Sequence, residues 1–395
     1  MKKGLALLLS VILGTCALLS AFAEEGGNDW EAWAKKRFWV RDAINGCVVV
    51  TCRGEELFRY AYGTHGNGGR EAVSCDTLYR CASVTKMVTA VGVMQLVERG
   101  LADLDGDLSE VLPFPVRNPA FPEVKVTLRQ VLSHTSSLRG DVGEYGVDWA
   151  GITLKKDPVF RHDAAPGTRY EYANLNGALL GAVIEAVSGQ SLNAYMKENV
   201  FDPLGITAAY HPSLLPEGTD TVNLFSPQGF IYLRTEDVSK EPYNDTPDPA
   251  GNLGRSVGGL YMSPASLSRL INCLLNGGAY PGGRLLNEGT VRMMEMDPSR
   301  FPDSSVTVSS PYGLGMERVD AAAGGPWWGH QGRLSGFTAD AYYQRETGLA
   351  VVVVCNGYNY RMEGSLVLLA LQWLNKAYDM VGGLAVPEES FEVLE

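Results

Sequence analysis

Two adjacent strand-like segments near each end of the chain constrain the fold more than any other feature of the sequence. The first pair covers residues 47–52 and 56–62, and the second covers 338–344 and 349–354, each pair separated by a short turn. A helical pattern precedes the first pair at residues 30–43, and a long apolar helix follows the second. This mirror arrangement predicts one antiparallel sheet built from both chain ends and covered by the terminal helices.

The middle of the chain has a different character, because helical patterns joined by Pro- and Gly-rich loops dominate it. The sequence therefore predicts an α/β fold of the α+β type with a mostly helical inserted subdomain. We place the α/β body at about 24–85 and 255–395 and the helical subdomain at about 86–254, within a single domain of residues 24–395. The predicted helices of this region and its border lie at 83–99, 128–133, 175–188, 192–200 and 264–275.

The N-terminus has the pattern of a secretory signal. Lys2 and Lys3 precede an apolar stretch at 5–19, and Ala21-Phe22-Ala23 supplies small residues for cleavage. We predict a signal peptide of residues 1–23, cleaved near Ala23, and a secreted or extracytoplasmic protein. An uncleaved membrane anchor is the alternative, since residues 4–23 are just long enough to span a bilayer. A lipoprotein signal at Cys16 is disfavoured because the bulky Thr15 precedes it.

The net charge and the cysteine content limit which partners and cofactors we expect for this protein. The net charge is −12 with no basic stripe, which argues against nucleic acid. No cysteine pairs accompany histidines at zinc-finger spacing, so we expect no metal and no cofactor. The six cysteines after residue 23 permit disulfides in an exported protein. A bridge between Cys47 and Cys355 is compatible with pairing of their strands, but we expect buried free thiols.

The strongest local motif is Ser83-Val84-Thr85-Lys86 at the start of a helix that is apolar almost all round. Ser83 would lie where backbone N–H groups favour a developing negative charge. Lys86 follows at i+3 on the same face, and burial would lower its pKa far enough for a neutral amine to act as a base. The plain alternative is a serine that caps the helix and a lysine on the surface.

Two further motifs supply polar groups downstream. Tyr172 and Asn174 stand two residues apart where the helix at 175–188 begins, with a packed tyrosine and a capping asparagine as the structural alternative. The second motif is His330-Gln331-Gly332-Arg333, which lies just before the strand at 338–344. Glycines in this stretch let the backbone approach a ligand closely.

Together these motifs resemble the serine β-lactamase and penicillin-binding protein (DD-peptidase) superfamily, particularly its class C β-lactamase-like branch. The resemblance implies acyl transfer, with Ser83 as nucleophile and Lys86 and Tyr172 as its bases. It also implies that the backbone N–H groups of Ser83 and Arg333 bind the oxyanion, close to Gly332, and that Asn174 contacts the substrate or places Lys86. His134 and Ser136 belong to a stretch that is mainly structural in the superfamily.

The third motif departs from class C β-lactamases, in which His330 and Gln331 would be Lys and Thr. A neutral imidazole contributes less positive charge toward a substrate carboxylate. We therefore rank a D-Ala-D-Ala carboxypeptidase, D-aminopeptidase or esterase-like activity above β-lactam hydrolysis. Peptidoglycan-derived peptides are the expected substrate class, and the membrane is a partner only if the N-terminal segment is uncleaved. A non-catalytic relative that binds penicillin or cell-wall fragments is the alternative from another functional class.

Overall fold

The computed structural model describes residues 30–40, 42–66, 69–139 and 159–381, so the predicted signal at residues 1–23 lies outside the described residues. The strands of these ranges are β1 (Asn45–Cys52), β2 (Glu55–Gly63), β3 (Tyr79–Arg80), β4 (Ala208–Ala209), β5 (Leu224–Phe225), β6 (Ile231–Leu233), β7 (Tyr261–Met262), β8 (Ala279–Tyr280), β9 (Gly283–Arg284), β10 (Glu317–Val319), β11 (Trp327–Leu334), β12 (Phe337–Gln344), β13 (Leu349–Asn356), β14 (Met362–Glu363) and β15 (Leu366–Val367). The helices are α1 (30–39), α2 (Val84–Glu98), α3 (Leu108–Val111), α4 (Leu128–Leu132), α5 (Asn174–Ser188), α6 (Leu192–Met196), α7 (Thr235–Lys240), α8 (Arg255–Gly258), α9 (Pro264–Leu275), α10 (Glu288–Met294) and α11 (Leu368–Met380). A π-helical turn, Lys197–Phe201, continues α6, and 3-10 turns lie at Pro212–Leu214 and Pro298–Arg300.

The main sheet has six antiparallel strands in the order β10-β11-β12-β13-β1-β2. The first and last strand pairs of the chain meet where β1 pairs with β13, with Val48 opposite Val353. Both strands are buried along nearly their whole length, which explains why they are continuous apolar runs. The prediction of one sheet assembled from both chain ends is therefore confirmed.

Alternate residues along the strands pack into two separate hydrophobic cores, one on each face of the sheet. Val351 and Val353 face the terminal helices α1 and α11, whose Trp33 and Trp373 rings meet edge to face with centroids 4.7 Å apart. Val352 and Val354 face the opposite way, toward the core that contains α2, α5 and α9. This alternation follows from the two-residue period of a strand and places α2 directly against the sheet.

The cysteine prediction is wrong in one respect. Cys47 forms a disulfide with Cys75, 28 residues further along the chain, and not with Cys355. The alternation of β1 decides this, because Cys47 and Cys355 belong to the cores on opposite faces of the sheet. The bridge ties β1 to the loop that leads into β3. Within the described ranges, no helix is both long and apolar enough to cross a bilayer.

Candidate active site

Ser83 stands at the N-terminus of α2, immediately after a tight turn in which Ala82 adopts a φ of 48°. Its side chain makes no capping hydrogen bond to the helix. The hydroxyl instead accepts a hydrogen bond from Lys86 Nζ, with 3.0 Å between Oγ and Nζ. Ser83 is half-buried, whereas Lys86 is only 2% exposed. The alternative of a capping serine with a surface lysine is therefore wrong.

Burial defines the chemistry of Lys86. The amine also donates to the carbonyl of Val257 at 2.9 Å, and its aliphatic stem packs against Gly177 of α5. Removal of the ammonium from water lowers the pKa of Lys86 to about 7. A substantial fraction of the amine is thus neutral at neutral pH, as a general base requires.

Tyr172 completes a three-residue cluster around the hydroxyl of Ser83. Lys86 Nζ lies 5.3 Å from the centroid of the phenol ring. Burial raises the pKa of Tyr172, and the hydrogen-bonding influence of Ser83 opposes that rise. The phenol is therefore protonated at neutral pH and can relay a proton between Ser83 and a leaving group.

The imidazole of His134 packs against the phenol of Tyr172. Its ring stacks on the phenol with centroids 4.3 Å apart, and its Nδ1 accepts a hydrogen bond from the backbone N–H of Ala173 at 3.1 Å. Asn176 lies 3.0 Å from the same Nδ1 and accepts a hydrogen bond from Ser136. His134 and Ser136 thus form a buried scaffold beneath the site.

Asn174 is the first residue of α5, and Ala173 occupies the cap position before it. The structural alternative of Asn174 as the helix cap is therefore wrong. Asn174 is half-buried and follows Tyr172 by two residues along the chain.

The sequence model of the β-lactamase family matches residues 31–369 of this chain. The chain belongs to the β-lactamase family. It is 28% identical to penicillin-binding protein 4 of Amycolatopsis lactamdurans, over 80% of this chain and 81% of the relative. It is 28% identical to esterase EstB of Burkholderia gladioli (87% and 88%) and 25% identical to the D-alanyl-D-alanine-carboxypeptidase/endopeptidase AmpH of Escherichia coli K12 (70% of each).

The fold agrees with this assignment. The octameric penicillin-binding protein homologue from Pyrococcus abyssi superimposes with a TM-score of 0.70, at 20% identity, over 91% of this chain and 78% of that structure. The mixed α/β architecture with an antiparallel sheet is thus the one predicted. As a member of this family, the chain is a serine hydrolase.

Strand β11 of this β-lactamase-family chain forms the opposite wall of the site. A methyl group on Gly332 would lie 2.4 Å from Cys81 O and 3.0 Å from Ser83 N, so the strand passes in direct contact with the start of α2. Only a residue without a side chain allows this approach. The backbone of β11 at Gly332 is thereby placed against the backbone nitrogen of Ser83 at the start of α2.

His330 is 1% exposed and neutral. Burial is the main cause that lowers the pKa of its imidazole to about 3, and the charge of Lys86 acts in the same direction. The ring Nδ1 lies 2.6 Å from the carbonyl of Gln331 and donates to it, which leaves Nε2 to accept from the hydroxyl of Tyr312 at 3.3 Å. His330 is thus an uncharged member of the site.

Arg333 lies apart from the cluster. It belongs to the exposed end of β11, where its guanidinium contacts the sulfur of Met362 at 3.2 Å. Its side chain projects from the strand face opposite that of His330 and Gly332. Its positive charge nevertheless favours the ionised form of Tyr172 and so opposes the rise in the pKa of that phenol.

Some contributors were not identified from the sequence as parts of the site: Gly177, the carbonyl of Val257 and the hydroxyl of Tyr312. Each acts through a contact with a residue that is distant along the chain, so local pattern carries no signal for it. The nearest signal is Gly177 itself, since a glycine within a helix costs stability and implies close packing. In the ranges that the structure describes, no cluster of three or more His, Cys, Asp or Glu side chains is placed to hold a metal ion.

Proposed function

We propose that this serine hydrolase is exported and cleaves amide or ester bonds through an acyl-enzyme on Ser83, with D-alanyl peptides as its preferred substrate class. The contact between Lys86 and Ser83 carries the proposal. A buried lysine with a pKa of about 7 lies 3.0 Å from the hydroxyl, at the start of a helix. That is the arrangement needed to activate a serine at neutral pH.

In the acylation step, Ser83 Oγ attacks the substrate carbonyl as its proton passes to the neutral amine of Lys86. The backbone N–H groups of Ser83 and Arg333 stabilise the oxyanion that forms, and the close approach at Gly332 supports this pairing. Tyr172 then delivers its proton to the leaving amine or alcohol as the scissile bond breaks, and it recovers a proton from protonated Lys86, which becomes neutral again. In deacylation, water attacks the acyl carbonyl as its proton passes to the neutral amine of Lys86, and that proton returns to Ser83 Oγ as the acid product leaves.

Peptides rank above β-lactams because of His330. A neutral imidazole supplies no positive charge in the place where class C β-lactamases have lysine. Arg333 does not replace that charge, because its side chain leaves the face of β11 opposite to His330 and contacts Met362. Two relatives support the ranking by name, a D-alanyl-D-alanine-carboxypeptidase/endopeptidase and an esterase. Ester hydrolysis is therefore the second candidate, and Asn174 is assigned to the acyl side of either substrate.

Export is proposed on the N-terminal pattern alone. The basic residues Lys2 and Lys3, the apolar stretch and the small residues ending at Ala23 are the features of a cleaved signal. N-terminal sequencing of the protein recovered from outside the cytoplasm should begin near Glu24. Recovery of the intact N-terminus in the membrane fraction would contradict cleavage.

The experiment that tests the activity combines a covalent probe with a substrate panel. Fluorescent penicillin or a fluorophosphonate should label the native protein, and Ser83→Ala should abolish labelling and turnover, whereas Ser239→Ala on α7 should change neither. The panel contains a D-Ala-D-Ala peptide, a p-nitrophenyl ester and nitrocefin, with the peptide expected to have the highest kcat/KM. Full turnover by Ser83→Ala would refute the nucleophile, and binding without any turnover would favour a non-catalytic relative.

A further inference from the structure

A buried polar layer lies beneath β11, on the face opposite His330 and Gly332. Its members are Glu317 of β10, Gln331 of β11 and Asp340 of β12, all of them buried. Gln331 and Asp340 stand directly opposite each other in the antiparallel register. Side chains in such a pair have Cβ atoms about 4.5–5.5 Å apart. The layer therefore contacts the strand that forms one wall of the active site.

The hydrogen bonds of this layer leave two oxygen atoms without donors. Gln331 Nε2 donates to Glu317 Oε1 at 2.9 Å and to the carbonyl of Ser365 at 2.7 Å. These two acceptors fix the orientation of the amide, since a flipped amide would direct its oxygen at two other oxygens. Gln331 Oε1 then has no partner among the described residues, and neither has Asp340 Oδ1. The other carboxyl oxygen, Asp340 Oδ2, accepts from Thr338 Oγ1 at 2.7 Å.

We propose that Asp340 is protonated in the active protein and donates from Oδ1 to Gln331 Oε1, so that Asp340, Gln331 and Glu317 form one chain that positions β11. A single proton satisfies both unpaired oxygens, because a neutral carboxyl group has one donor. When Asp340 ionises, two acceptors face each other in a dry interior, and that arrangement is costly. Its catalytic consequence rests on the proposed function of the Ser83 site.

Burial raises the pKa of Glu317, but its carboxylate accepts hydrogen bonds from Gln331 Nε2 and from the hydroxyl of Tyr342 at 2.8 Å, so we assign Glu317 as the ionised partner of Asp340. Asp340 has only the Thr338 hydroxyl as a donor. Burial and the charge of Glu317 raise the pKa of Asp340 to about 8, while Arg333 opposes the rise. The buried titratable groups in the core on this face of the sheet include the phenols of Tyr342 and Tyr358 and the thiol of Cys355.

The proton itself is observable by infrared difference spectroscopy on the full chain. We expect a protonated-carboxyl C=O band at pH 6.5 that disappears as the pH rises through about 8 and is absent from Asp340→Asn. This measurement needs no catalytic activity, so it separates the two proposals. A spectrum of the native protein without this band at pH 6.5 would overturn the inference, even if Asp340→Asn did not fold.

Catalysis supplies the second readout. The native kcat/KM should fall above about pH 8, whereas Asp340→Asn, whose amide can still donate to Gln331, should keep its plateau through that pH. Asp320→Asn, an exposed acid after β10, is the matched control and should behave like the native protein. If kcat/KM of Asp340→Asn fell above about pH 8 just as it does in the native protein, the positioning role of Asp340 would be overturned.

Discussion

The imidazole of His134 lies against the phenol of Tyr172, with ring centroids 4.3 Å apart and 27° between the ring planes. The histidine is held in place by the backbone N–H of Ala173, one residue after that phenol. His134 is 4% exposed, so it meets no solvent-borne substrate. We therefore assign His134 the role of positioning the proposed proton relay, Tyr172, and no part in the bond changes.

His134→Ala should lower kcat/KM by about 100-fold, because small displacements of a reacting group have effects of that size. Steady-state kinetics with the preferred substrate measures the loss, and circular dichroism checks that the protein is folded. His65→Ala, which removes a partly exposed histidine paired with Asp220, should leave kcat/KM within twofold of native. An unchanged rate in His134→Ala would show that Tyr172 holds its place without the stacked ring.

The acylation rate should rise with pH through about 7, because Lys86 accepts a proton only in its neutral form and its pKa lies near that value. Stopped-flow acylation by fluorescent penicillin measures this limb directly. Lys86→Arg keeps a positive charge that cannot be lost in this range, so acylation should fall by about 100- to 10,000-fold at every pH. A native profile that is flat from pH 5 to 8 would contradict the assignment of Lys86 as base.

Gly177→Ala tests the packing of the Lys86 stem. An added Cβ would lie 2.7 Å from Lys86 Cε and 2.9 Å from Cγ, so the amine must move. Alanine favours a helix over glycine by about 1 kcal/mol, so α5 itself should persist. We expect a loss of about tenfold or more in kcat with little change in helical content. A fully active Gly177→Ala would mean that the stem relaxes without displacing Nζ.

Gly332→Ala tests the oxyanion wall. The new methyl group would meet Cys81 O at 2.4 Å and Ser83 N at 3.0 Å, which pushes β11 away from α2. Loss of one oxyanion donor lowers kcat by about 100- to 1000-fold, so we expect a decrease of this order. Gly289→Ala, where no atom lies within 4 Å of the added carbon, is the control and should retain native activity. Equal activity in both variants would exclude the close approach as a catalytic feature.

Reduction of the Cys47–Cys75 bridge should destabilise the fold by about 2–4 kcal/mol, because the bridge restricts the conformations open to the unfolded chain. Urea unfolding of Cys75→Ser against native protein, with and without reductant, measures the difference in the free energy of unfolding. Mass spectrometry after alkylation should find two fewer reactive thiols before reduction than after it. Identical urea midpoints for the two proteins would contradict a stabilising bridge.

The strands and helices were largely predictable because each has a strong local pattern. The valine run of β13 indicates a strand buried on both faces, and the apolar stretch after Ser83 indicates a buried helix, as found. The spacing of Ser83 and Lys86 was sufficient to predict that their side chains lie together, since residues i and i+3 share one helix face. The disulfide was not predictable, because Cys47 and Cys75 meet through a loop whose path has no sequence pattern.

The sequence by itself determined which segments are strands and helices, which ends of the chain share a sheet, and that Ser83 and Lys86 face one another. These features depend on period and spacing, which are local properties. Only the tertiary structure decided that burial keeps His330 neutral, that Gly177 packs against the stem of Lys86, and that Gln331 stands opposite Asp340 on the neighbouring strand. The physical reason is that burial, pKa and close packing depend on neighbours from distant parts of the chain, and these neighbours are fixed only when the sheet and α2 come together.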